Sequence, residues 1–382
     1  MYEVSRRNLL LGGLAAAGTA TLAACSGGTD PASSRAFGTP APVTPTSGQK
    51  GVTATLRPAP VTVDLGGPVV KTWAYGDTVP GKVIRANAGD LLRVRVENGL
   101  PAPTTLHWHG IRLANAADGV PGLTQDPIPA AGSFLYEFTA PDPGTYFFHP
   151  QVGLQLDRGL YAPLIIDDPR APGDYDGEWV VVLDDWVDGT GRTPDDVLRS
   201  LVDAGGSSTA GSMGGMSGMG GMGVAPFGDA GDIVYPHYLV NGRVPAAPSV
   251  FTVKPGQRIR IRVINAASNT IFTVALGGHR MTVTHTDGYR VVPSETGAFY
   301  IGMGERYDVT VTAGDGVFPL VALPFGKLGQ ARALLRTATG AAPAAGLRPT
   351  ELDGPVLLGS QLTPAASSRL TPRERDASST CP

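Results

Sequence analysis

Two histidines two residues apart, in Thr105-Leu106-His107-Trp108-His109-Gly110, are the residues of this chain best placed to do chemistry. Side chains at i and i+2 of a β-strand point to the same face. A strand here projects the His107 and His109 imidazoles together and sends Trp108 to the opposite side. Neutral imidazole is the commonest metal ligand among side chains, and it suits copper, zinc, iron and nickel. A second window, Thr145-Tyr146-Phe147-Phe148-His149-Pro150-Gln151, has the same form, with His149 and Gln151 sharing a face. The chain holds six histidines, and three of them fall in these two windows. That favours metal binding over two ordinary strands with incidental polar residues.

A softer donor set lies further on. Met213, Met216, Met219 and Met222 recur every third residue inside the Gly-rich segment 211–223. Thioether sulfur favours Cu(I) over harder ions, while a flexible Gly-rich loop with incidental methionine accounts for the pattern equally well. His237, His279 and His285 lie outside both windows and are expected to be hydrogen-bonded structural residues.

The elements that must position these side chains are strands. Glycine (52) and proline (34) are plentiful among the 382 residues and only 16% are charged. Short Val- and Thr-rich runs broken by turn residues favour all-β architecture, and no long amphipathic helix is evident. Strands are expected at 52–56, 69–74, 82–85, 91–98, 104–109, 133–139, 144–149 and 161–167, then at 179–184, 238–243 and 258–265. The last alternates Arg with Ile or Val, a period-two pattern with one wet face. Many short strands at close spacing suggest β-sandwiches with Greek-key connections. With a net charge of −3 and no basic stripe, nucleic acid is not an expected partner.

The first residues read as an address. Ser5-Arg6-Arg7-Asn8-Leu9-Leu10 carries paired arginines ahead of an apolar run, the form of a twin-arginine export signal. Leu22-Ala23-Ala24-Cys25 resembles a bacterial lipoprotein cleavage box, so Cys25 is expected to carry lipid and hold the chain to a membrane of the cell envelope. Residues 25–51 are Ser, Thr, Pro and Gly with little apolar content, a flexible tether. The second cysteine, Cys381, sits in a polar tail; an acylated Cys25 leaves it without an intramolecular disulfide partner.

The ordered motifs HWHG at 107–110, DGVPGLTQDPI at 118–128, GTYFFHPQ at 144–151 and GLYAPLIIDDP at 159–169 resemble those of the multicopper oxidases, the family of laccases and bacterial cuprous oxidases. The resemblance covers roughly 52–340. It implies an all-β fold of two cupredoxin-like Greek-key β-sandwich domains, 52–170 with the copper motifs and 176–340 as a spacer without copper. Residues 341–382 are expected to form a disordered tail.

The resemblance also implies roles. His107 matches a ligand of the type-2 copper, and His109 and His149 match ligands of the type-3 pair. Gln151 stands where another type-3 histidine is usual, and a carboxamide is a poor substitute for imidazole at copper. Asp118 resembles an acidic residue that assists proton delivery, although an Asp before Gly is also an ordinary turn former. The family oxidises Cu(I) or phenolic substrates and reduces O2 to water, using a type-1 Cys and further HxH motifs from a last domain. Neither occurs in this sequence, so the chain is expected to be catalytically incomplete by itself. Three alternatives follow: a copper-binding oxidase-family protein, a non-enzymatic protein holding copper (or zinc with an open position) on His107, His109 and His149, or a chain completed by another polypeptide that carries the missing domain.

Overall fold

The computed structural model describes residues 43–170, 173–203, 226–228, 230–231 and 233–370. The export signal, Cys25, the Met213, Met216, Met219 and Met222 repeat, and the end from 371 onward lie outside them. Among the described residues, nine strands precede residue 170: β1 (Gly51–Leu56), β2 (Pro58–Asp64), β3 (Val69–Tyr75), β4 (Ile84–Asn87), β5 (Leu91–Glu97), β6 (His107–His109), β7 (Ser133–Thr139), β8 (Gly144–His149) and β9 (Ala162–Asp167). They form the sheets β1-β5-β7 and β4-β9-β8-β6, with β2 and β3 as a separate ribbon. β5 and β7 alternate in and out because every second residue, such as Leu92, Val94 and Val96, faces the first core.

Twelve strands follow: β10 (Gly177–Trp186), β11 (His237–Val240), β12 (Ser249–Thr252), β13 (Arg258–Asn265), β14 (Phe272–Leu276), β15 (Met281–Thr286), β16 (Tyr289–Thr296), β17 (Ala298–Ile301), β18 (Arg306–Thr312), β19 (Val317–Pro324), β20 (Ala331–Arg336) and β21 (Val356–Leu357). They make two six-stranded sheets, β11-β10-β13-β18-β15-β16 and β12-β20-β19-β14-β17-β21. The chain passes repeatedly between the two sheets, as at β13/β14 and β17/β18, so the second unit is also a sandwich, closed over its own core. No helix among the described residues is long and apolar enough to cross a membrane.

A third apolar cluster joins the sandwiches. Val63, Val70, Phe147 and Tyr161 of the first pack with Val182, Trp186, Leu239 and Ile264 of the second. Beside it runs a charged seam, and here the expectation of a wet Arg face on β13 is corrected. Arg262 is 1% exposed; its Nε donates to Glu178 at 2.7 Å and its Nη1 to Thr145 Oγ1 at 2.8 Å. The alternation was right, but the polar face meets the first sandwich, and paired acids make burial of the guanidinium tolerable.

Three other expectations change. β2 was hidden by Pro58 and Pro60, yet it pairs only with β3, an edge position that tolerates proline. A helix, α1 (Pro194–Asp203), follows β10. Its start is legible in retrospect: the Thr193 N–H donates to Asp196 Oδ2 and Asp196 N–H to Thr193 Oγ1, with Pro at the first helical position. The expected disorder from 341 does not hold for the described part of that segment. β21 pairs with β17, and Leu352 is buried against Ala275, Ala298 and Val321. A few apolar residues in a polar stretch suffice to anchor it on a finished sheet.

Candidate metal centre

The antiparallel register of β6 and β8 sets His107 opposite His149, Trp108 opposite Phe148 and His109 opposite Phe147. Opposed residues share a face, and diagonal neighbours lie within reach of a ring. Trp108 and Phe148 enter the first core, which leaves the three imidazoles on the other side. One donor atom from each lies within 4.8 Å of the others. β8 ends at His149; Gln151 lies beyond it, exposed, with its backbone N–H donating to Thr105 Oγ1 at 3.1 Å.

Backbone carbonyls decide which nitrogen each ring presents. His107 Nδ1 donates to Asp118 O at 2.9 Å and His149 Nδ1 to Pro150 O at 2.8 Å. A carbonyl only accepts, so each neutral ring keeps its lone pair on Nε2. His109 Nδ1, 3.1 Å from His149 Nε2, therefore carries the donated proton in the metal-free protein. Two nitrogens on one ion at bond lengths of about 2.0 Å stand roughly 3 Å apart, a spacing this pair already has. The donor set is three imidazoles, two of them fixed from behind by carbonyls, and it fits a copper ion.

Burial keeps two of these rings neutral. It pushes His109 down to about 3, aided by the nearby Arg306 guanidinium and the other two imidazoles. It pushes His149 down to about 4, against the Pro150 hydrogen bond, which favours the charged form. His285 in the charged seam is lowered to about 4, again first by burial. Such groups are protonated in the unfolded chain below about pH 6.5 while the folded chain resists protonation. The contribution of these imidazoles to the stability of the metal-free protein is therefore full above about 6.5 and falls as pH drops toward 4, by an order of 2–3 kcal/mol per imidazole. An NMR titration of the ring signals in the metal-free protein checks this; midpoints near 6.5 would show that the rings are solvated.

Asp118 is brought to the site. Its Oδ1 lies 3.3 Å from His107 Nδ1. The following Gly119 has φ +75°, and a Cβ there would stand 1.9 Å from Leu106 O. The Asp-Gly turn thus packs on β6 and delivers both a carbonyl and a carboxylate to His107, so the turn-forming and site-facing readings describe one feature.

The remaining histidines do not join. His279 donates from Nδ1 to Gly277 O at 2.8 Å and accepts at Nε2 from Gly314 N–H at 3.0 Å, a satisfied structural residue. His285 contacts Thr284 Oγ1 at 3.0 Å, and His237 lies half-buried on β11. Two neighbours of the site come from the second sandwich and were not anticipated: Gly304, whose backbone abuts the His109 ring, and Arg306, whose guanidinium lies against Gly110. They are far along the chain from His109, and no spacing marks them.

Comparison with known proteins agrees with the geometry. Residues 59–171 and 178–341 each match a family profile described as multicopper oxidase. Multicopper oxidase MmcO of Mycobacterium tuberculosis is 50% identical over 372 residues, covering 96% of this chain and 73% of that protein. The chain is a member of the multicopper oxidase family. Copper is accordingly the cofactor of its family. A copper resistance protein A homolog of Pseudomonas syringae is 32% identical, covering 80% of this chain and 55% of that protein, so the chain spans little more than half of that relative. The laccase of Botrytis aclada superposes with a TM-score of 0.64 at 27% identity, over 81% of this chain and 57% of that one. The all-β cupredoxin-like architecture expected from the sequence is thus borne out.

Proposed function

We propose that this multicopper oxidase relative is an exported, lipid-anchored copper protein whose first sandwich, 52–170, binds copper through His107, His109 and His149, with the second, 176–340, packed against it. The observation that carries the reading is the convergence of three imidazoles on one face, with the Nδ1 atoms of His107 and His149 engaged by Asp118 O and Pro150 O. Bound copper supplies one-electron redox chemistry. The chain's own residues orient the donors, exclude water from His109 and His149, and place the Asp118 carboxylate beside His107 as a group able to hand on a proton. The family reaction, oxidation of Cu(I) or a phenol coupled to reduction of O2, calls for more imidazoles than these three and for a thiolate. We propose that such donors come from another polypeptide segment, and that these residues alone bind metal without turnover.

Copper loading followed by elemental analysis should find about one copper per chain, lost in His107→Ala. No retained metal, or zinc in its place after exposure to both, would remove the proposal. Four-electron reduction of O2 by the purified chain alone would refute the need for further donors, and co-purification of a chain carrying them would support it. A non-enzymatic copper-binding role rests on the same three histidines, with the methionine repeat 213–222 collecting Cu(I). Membrane attachment rests on Arg6, Arg7 and Cys25. Labelling with a fatty-acid probe should mark the wild type and not Cys25→Ser.

A further inference from the structure

We infer that Gly304 and Arg306, from the sandwich expected to act only as a spacer, are positioning residues of the histidine site: they hold His109 so that Nδ1 and not Nε2 faces the metal position. The inference rests on the copper reading above and adds a role for the second sandwich in it.

The turn between β17 and β18 is fixed before it reaches the site. Gly304 N–H donates to Asn265 O at 2.9 Å, and Asn265 N–H donates back to Glu305 O at 3.1 Å, tying the turn to the end of β13. Gly304 has φ +78°, which favours glycine. A Cβ there would stand 2.8 Å from His109 Cε1 and 2.9 Å from Nε2, but 4.0 Å from Nδ1. The Gly304 backbone thus lies against one edge of the imidazole and closes it. The ring stacks on Phe147, with centroids 4.4 Å apart and planes 24° apart. With that contact and the covered edge, Nδ1 is the nitrogen left to meet His149.

Arg306 locks this arrangement. The side chain is buried; Nε donates to Thr145 O on β8 at 3.1 Å and Nη1 to Gly304 O at 2.8 Å, with Asp287 Oδ1 3.0 Å from Nη1. One planar cation therefore joins the strand that carries His149 to the turn that covers His109, a task suited to a rigid fork of donors. Its guanidinium fills the space beside Gly110, where a Cβ would meet Nη2 at 2.2 Å. A bulkier residue at 110 or 304, or a side chain at 306 that reaches only one carbonyl, should free the ring to rotate. Loss of an outer partner of a metal-bound histidine typically weakens metal binding by about 10–100-fold.

The test uses the full chain with 15N-labelled histidine. Long-range 1H–15N spectra report which nitrogen of each ring is protonated, and anaerobic competition with a Cu(I) chelator reports affinity. In the wild type, His109 should carry its proton on Nδ1 without metal and lose that signal with Cu(I). Gly304→Ala and Arg306→Gln should alter the His109 signals, leave the Nδ1 protons of His107 and His149 in place, and weaken Cu(I) binding by about 10–100-fold. Arg306→Lys should recover part of the loss. Gly256→Ala, at φ +79° with no atom within 4 Å of its Cβ, controls for backbone strain and should leave both readouts unchanged. Unaltered His109 signals with Cu(I) affinity within about threefold of wild type would overturn the inference. Should the wild type take up no Cu(I), the copper reading fails, and the metal-free His109 signals still decide the positioning. Should Gly304→Ala not fold, Arg306→Gln decides alone.

Discussion

Asp308→Ala is expected to lower the unfolding free energy by about 3–5 kcal/mol, because it removes the carboxylate paired with the buried Arg260 and leaves Arg262 to Glu178 and Asp167. Asp308 is 1% exposed and its Oδ2 pairs with Arg260 and, at 3.5 Å, with Arg262. Its Oδ1 accepts from Thr145 Oγ1 of the first sandwich at 2.6 Å. Burial by itself would raise this carboxyl; Arg260 and Arg262 outweigh it and hold the group at about 2. A depressed carboxyl contributes stability above its unfolded value near 4, and loses it as pH falls through about 2. The wild-type advantage over Asp308→Ala should therefore be complete at pH 7 and shrink toward pH 2. Urea unfolding at both ends of that range measures it. A loss under about 1 kcal/mol at pH 7 would mean that water reaches the seam and screens the pair. The same substitution removes a link between sandwiches, so proteolysis of the junction at 170–177 should quicken.

Trp108→Ala is expected to cost a similar about 3–5 kcal/mol while sparing the metal donors. Trp108 is fully buried, packed edge-on against Phe138 at 4.8 Å and Tyr136 at 6.0 Å and tilted against Phe148 at 5.5 Å. Its neighbours His107 and His109 lie on the opposite face of the same three-residue strand. His107→Ala should reverse the outcome, with little change in urea midpoint and loss of bound copper. If Trp108→Ala and His107→Ala lost stability and copper in the same proportion, the two faces of β6 would not be separable. Measuring both quantities on both variants makes that comparison direct.

The shared face of His107 and His109 and the fold class were legible because both depend on short-range periodicity. A two-residue repeat is enough to put His107 and His109 on one face and Trp108 in a core, and alternating Val- and Thr-rich runs are enough for strands. The Asp-Gly at 118–119 was likewise readable as a turn. Three things depended on which strands become neighbours, and local pattern carries no trace of that. The opposition of His107 and His149 follows from the β6–β8 register. The burial of Arg262, read as a wet face, follows from β13 lying along the seam, where Glu178 and Thr145 meet it. The Gly304 and Arg306 contacts with His109 and Gly110 follow from docking of one sandwich on the other. Sequence by itself determined the chemistry of the donors and the all-β fold, since residue type and local alternation dictate both. The tertiary structure decided which nitrogen each imidazole presents and what stands against it, because those depend on how the Asp118 and Pro150 carbonyls are turned and on Gly304 and Arg306 brought in from a distant part of the chain.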